Sequence, residues 1–122
     1  MIEINHYNFG EITHGDWQKV TYKIYSNQTM DIITEYMKDK IIKKESKISF
    51  EDYDKLNRLI DKAILVNVEV EAYGGDAWSF ICYRNNEIYF QRGIGYIYGI
   101  KVLEDITKII EKYNRKGIKH YE

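Results

Sequence analysis

The segment SFEDYDKLNRLIDKAI, residues 49–64, decides the fold. Phe50, Tyr53, Leu56, Leu59, Ile60, Ala63 and Ile64 recur every three or four residues, which on a helix makes one apolar stripe. Ser49 stands where a cap is needed, and Asp52 follows at the capping-box position. Glu51, Asp52 and Asp54 fall in the first turn, where the positive end of the helix dipole favours them. The spacing predicts a helix over 50–64, and it divides two stretches whose apolar residues alternate with a period of two.

Upstream, residues 2–9 read as a strand with Ile2 and Ile4 on one face. In WQKVTYKIY, 17–25, Val20, Tyr22 and Ile24 share a face opposite Lys19, Thr21 and Lys23. Ser26-Asn27-Gln28 signals a turn, and 30–37 reads as the partner strand. The next ten residues, KDKIIKKESK at 38–47, set five lysines against Asp39 and Glu45 and read as an exposed strand or a loop. Downstream of the helix, Val66, Val68, Val70 and Ala72 alternate with Asn67, Glu69, Glu71 and Tyr73. After Gly74-Gly75-Asp76, residues 77–84 place Trp78, Phe80 and Cys82 on one face. Asn85-Asn86 suits a two-residue hairpin turn into 87–92. A second helix is predicted over 101–115, burying Leu103, Ile106, Ile109, Ile110 and Tyr113, with Gly117 as its end signal. The order is β-β-β-α-β-β-β-α. Short turns between neighbouring strands imply antiparallel pairing. The expected fold is α+β: a single domain over 1–122, an antiparallel sheet of about six strands with two helices on one face.

Composition narrows the function classes. One cysteine in 122 residues, Cys82, excludes an intrachain disulfide and a four-cysteine zinc site. Met1 leads straight into IEINHYNF without a basic and apolar leader, and no apolar run approaches the ~18 residues of a membrane span. A cytoplasmic, non-membrane protein is expected. Charged residues make up 30% at a net charge of −1, a balanced surface that does not suit a nucleic-acid binder. The chain has no proline, as suits paired strands and helices.

Few residues suggest chemistry. Gly93, Gly95 and Gly99 in GIGYIYG come one residue short of a dinucleotide fingerprint. That fingerprint needs a parallel strand after its helix, and too little chain remains to supply one. His6, His14 and His120 lack a metal-binding context, although His6 and His14 could be neighbours across the first hairpin. Cys82 sits at an apolar position of a strand, as an inert buried thiol does. Glu69 and Glu71 share a strand face and Asp76 follows in the turn; such paired carboxylates read as an outer surface. No residue is assigned to catalysis, to a cofactor or to a metal. Twelve tyrosines and two tryptophans exceed what one covered sheet face can bury. Aromatic side chains are enriched where proteins grip one another. Trp17, Glu69, Glu71, Asp76, Trp78, Tyr96 and Tyr98 are therefore the candidate partner-binding residues, and their acidity points to a basic partner.

The stretch 74–110 resembles the C-terminal half of small uncharacterised cytosolic proteins of low-GC bacteria. The likeness rests on Gly75-Asp76-Ala77-Trp78, the following hairpin, and GYIYGI leading into the last helix. Small acidic-faced α+β proteins of this kind are similar to immunity and antitoxin proteins. The resemblance implies a non-enzymatic protein-binding module, an immunity-type or inhibitor protein that neutralises a cytotoxic partner. The alternative is a small-ligand-binding domain or minor enzyme with a pocket between the 93–99 loop and the carboxylates at 69, 71 and 76. A third expectation is a homo-dimer through the open sheet face.

Overall fold

A computed structural model describes residues 1–9, 17–66 and 75–118, with side chains through Asn114. Its strands are β1 (Ile2–Asn8), β2 (Trp17–Ile24), β3 (Thr29–Tyr36), β4 (Ile41–Lys47), β5 (Asp76–Arg84) and β6 (Glu87–Gly95); its helices are α1 (Phe50–Ala63) and α2 (Lys101–Ile118). The six strands form one sheet in the order β4-β3-β2-β1-β5-β6, with every pair antiparallel. The α+β class, the antiparallel sheet and the two helices are those expected from the sequence.

The details refine that expectation. The lysine-rich segment supplies β4, an edge strand beyond a short 3-10 turn at Met37–Asp39. The strand expected over 66–73 lies outside the described residues apart from Val66. Helix α2 runs to Ile118, past the end expected at 115, so Gly117 lies within it rather than closing it.

Local chemistry explains the elements. Ser49 Oγ accepts the backbone N–H of Asp52 at 3.1 Å and caps α1. Asn85 and Asn86 both take positive φ, 53° and 63°, as the tight β5–β6 turn requires. Gly99, at φ 84°, turns the chain from β6 into α2, and Glu104 accepts the Gly99 N–H at 2.6 Å.

Register places the core. Reading across the sheet, Ile32, Tyr22, Ile4 and Phe80 lie side by side, as do Met30, Ile24, Ile2 and Cys82. These side chains form one buried cluster with Leu56, Leu59 and Ile60 of α1 and with Leu103, Ile106 and Ile110 of α2. Both helices therefore cover the same face of the sheet. The other face carries Glu3, Lys23, Asp31 and Glu45 in one row. At its centre Thr21 donates to Asn5 at 2.8 Å, which lets two buried polar side chains satisfy each other. The helices are also joined to each other: Tyr113 donates to Asp52 at 2.5 Å, Lys112 pairs with the same carboxylate at 2.7 Å, and Ser49 N–H donates to the Tyr113 oxygen at 3.1 Å.

Candidate functional site

The sequence-selected residues converge at one end of the helix-covered face. Alternation along β1 puts His6 on the same side as Ile2 and Ile4. The β1–β5 register sets His6 opposite Trp78, and the two rings stack with centroids 3.8 Å apart and planes 8° from parallel. Trp17, at the start of β2, leans on the other side of His6 with centroids 4.9 Å apart. Asp76 opens β5, and its Oδ2 lies 2.8 Å from His6 Nε2. Tyr98, in the crossing to α2, donates its hydroxyl to Asp76 Oδ1. Tyr96 lies beside Tyr98, ring centroids 6.3 Å apart.

The electrostatics follow from this chain of contacts. Burial pushes the Asp76 carboxyl up, but hydrogen bonds from Tyr98 and His6 outweigh it and hold it below its usual value. Burial and the bond to Asp76 push the Tyr98 phenol up, so it stays a donor. Asp76 thus fixes which way the His6 ring points and holds Tyr98 in place. A carboxylate that holds an imidazole fixes the tautomer and orientation of that ring. Covalent chemistry would need a nucleophile beside it; Cys82 pairs opposite Ile2, four residues along β1 from His6, and burial pushes its thiol up. Among the described residues, no group of three His, Cys, Asp or Glu side chains could hold a metal ion.

Of the seven expected residues, Trp17, Trp78 and Asp76 contact His6, Tyr98 joins them through Asp76 and Tyr96 lies beside Tyr98, while Glu69 and Glu71 lie outside the described residues. Trp78 requires a correction. It is 2% exposed, because its position shares the inner face with Phe80 and Cys82, so it belongs to the core and cannot touch a partner. Tyr98 is 62% exposed, and Trp17 and Tyr96 are half-buried. His14, the candidate neighbour of His6 across the first hairpin, is outside the described residues. The parity of His6 with Ile2 and Ile4 was visible; its stacking on Trp78 depends on a pairing between distant segments.

Two open cavities among the described residues are lined by neither Tyr96 nor Tyr98. One, about 910 Å³, lies at the opposite end of the sheet among Phe50, Tyr53, Asn57, Tyr83 and Arg84. The other, about 690 Å³, runs from His6 and Trp17 along α2 to β4. Gly93, Gly95 and Gly99 shape the end of β6 and the turn into α2, and β6 is antiparallel to its neighbour, unlike a dinucleotide-binding unit. No helix among the described residues is long and apolar enough to cross a membrane. Comparison with protein-family models finds none that matches this chain, and comparison with curated proteins finds no match either.

Proposed function

We propose that this chain is a non-enzymatic protein-binding module, and that it grips its partner with the aromatic end around Tyr98. The observation that carries the reading is Tyr98 itself, 62% exposed yet anchored through its hydroxyl to Asp76. An exposed aromatic ring that is already held loses little conformational freedom on binding, which is what makes tyrosine an efficient anchor. Because the Asp76 carboxylate is engaged by His6 and Tyr98, the grip at this end is aromatic more than acidic. A basic partner is favoured only by Glu69 and Glu71. The immunity-type or inhibitor role is the setting suggested by the resemblance of residues 74–110.

The test is capture from native lysate with the wild-type chain as bait and Tyr98→Ala as its matched control. One non-chaperone protein retained by the wild type and lost by the variant supports the reading. Co-expression should then relieve any growth arrest that protein causes. Recovery of chaperones alone overturns the module, and equal capture by both baits overturns the role of Tyr98.

A further inference from the structure

The open cavity of about 910 Å³ lies at the end of the sheet away from Tyr98, and its size is within the range of sites for small molecules. Its lining residues and their chain neighbours are all described. Ile2 and Cys82, both buried, bring the edge of the core to the cavity. Three rings belong to the same lining. Tyr53 and Tyr83 are half-buried, and Phe50, in the first turn of α1, is 68% exposed. Phe50 thus presents at the cavity a ring that the core does not use.

The charged groups of the lining are already engaged. Asp54 pairs with Arg58 at 2.7 Å. Arg84 pairs with Asp61 at 2.8 Å, and its guanidinium lies 3.8 Å from the centroid of the Tyr89 ring. The Met1 ammonium donates to the Tyr83 carbonyl at 3.1 Å. A charged ligand would have to compete with these bonds. Asn85 and Asn86, in the β5–β6 turn, and Ser26 are exposed, and their amides and hydroxyl can both donate and accept. A wholly apolar ligand would cover such groups without bonding them, which is unfavourable. The chemistry that suits rings and amides together is a neutral molecule with an apolar face and a rim of hydroxyls. A pyranose has that form: its C–H face fits the electron-rich face of an aromatic ring, and its hydroxyls pair with amides.

We propose that this cavity binds a neutral oligosaccharide, one sugar ring laid on Phe50 and its hydroxyls met by Asn85 and Asn86. Flat apolar contact supplies the affinity, and the amides of the turn set the orientation of the ring. None of the lining residues belongs to the aromatic end around Tyr98, and the site requires no protein partner.

Titration of the whole isotope-labelled chain, followed by amide NMR, tests this directly. The probes are three neutral oligosaccharides, cellohexaose, maltohexaose and N-acetylated chitohexaose, with hexagalacturonate as their charged counterpart. At least one neutral probe is expected to bind saturably, at about 1 mM or tighter, with the largest shifts around Phe50 and the Asn85-Asn86 turn. Hexagalacturonate should bind no more tightly than the best neutral probe. Phe50→Ala should weaken binding about tenfold with the thermal melt preserved, and Phe50→Trp should keep it. Asn85→Gly/Asn86→Gly retains a turn of positive φ and should also lose affinity. No saturable binding of any neutral probe up to about 10 mM overturns the proposal. Tighter binding of hexagalacturonate, shifts centred on Tyr98, or affinity unchanged by Phe50→Ala or by the double glycine variant overturns it as well. The titration needs no partner, so its failure and the failure of the protein-binding reading are separate results.

Discussion

Asp76→Ala removes the group that joins β5 to both His6 and the crossing loop, and its cost can be worked from the contacts. A hydrogen bond to a charged acceptor contributes about 1.5–3 kcal/mol when well shielded. The His6 side chain is 13% exposed and Asp76 33%, so their 2.8 Å bond is only partly shielded and is assigned about 1.5–2 kcal/mol. The Tyr98 bond is more exposed, and solvent reduces it to about 0.5–1 kcal/mol. The sum is about 2–3 kcal/mol. For a chain of this length, each kcal/mol shifts the melting midpoint by about 3–5 °C, so a fall of about 6–15 °C is expected. Urea unfolding of wild type, Asp76→Ala, Tyr98→Phe and the double variant at neutral pH reads these terms. The double variant should be no worse than Asp76→Ala, because Phe at 98 removes a bond that Ala at 76 has already lost. The acid limb supplies a sign. The folded-state pKa of Asp76 lies below the ordinary 3.8. Its contribution is therefore complete above that value and is lost as pH falls through the lower folded value. The gap between wild type and Asp76→Ala should close in that window. An Asp76→Ala variant within about 0.5 kcal/mol of wild type at neutral pH would refute the account of the site as a held structure.

Four further outcomes are expected. Trp78→Ala, which empties a core position stacked on His6, should cost about 3–5 kcal/mol in urea unfolding, where a surface contact would cost almost nothing. Tyr113→Phe removes the donor to Asp52 and an acceptor for the Ser49 N–H, so a loss of about 1–2 kcal/mol is expected. Burial pushes the Asp52 carboxyl up, yet its bonds from Lys112 and Tyr113 hold it below 3.8, so wild type should lose this part of its stability only as pH falls below that value. Cys82 is 1% exposed, and burial raises its thiol pKa; a thiol-specific chromogenic reagent should label it in denaturant and leave it almost unlabelled in the native chain.

Much of this architecture was readable because its signals are local. The Ser49 cap, the Asn85-Asn86 turn and the centre of the α1 stripe each depend on residues a few positions apart and appear where the sequence put them. Phe50 and Ile64, at the two ends of the stripe, are exposed because they lie past the edge of the sheet's cover. Strand β4 was ambiguous for a physical reason. It is an edge strand whose inward positions are Ile42, Lys44 and Ser46, so its alternation carries almost no contrast in polarity. The tyrosine surplus was real but was resolved mostly by partial burial. Tyr22 is buried with its hydroxyl accepting from Asn114 at 3.3 Å, while Tyr89 is 40% exposed with its hydroxyl donating to Asp61 at 2.6 Å. The burial of Trp78 and its stacking on His6 were not legible because an alternating strand does not reveal how far along its length the covering helices reach, nor which distant ring it will meet.

That distance has a consequence for how the protein is made. His6 and Asp76 are 70 residues apart in the chain. A ribosome adding about 5–20 residues per second needs roughly 4–14 s to deliver the second after the first. The β1–β2 hairpin can close within microseconds of its emergence. During synthesis, then, β1 waits for seconds with one side paired and the other bare, a row of unsatisfied backbone groups beside Ile2, Ile4 and His6. The arrival of β5 covers that row and builds the His6–Asp76–Tyr98 end in the same event. A chain truncated before Asp76 is thus both unfinished at its site and open to pairing with its neighbours, so nascent chains should depend on chaperone shielding until β5 is delivered.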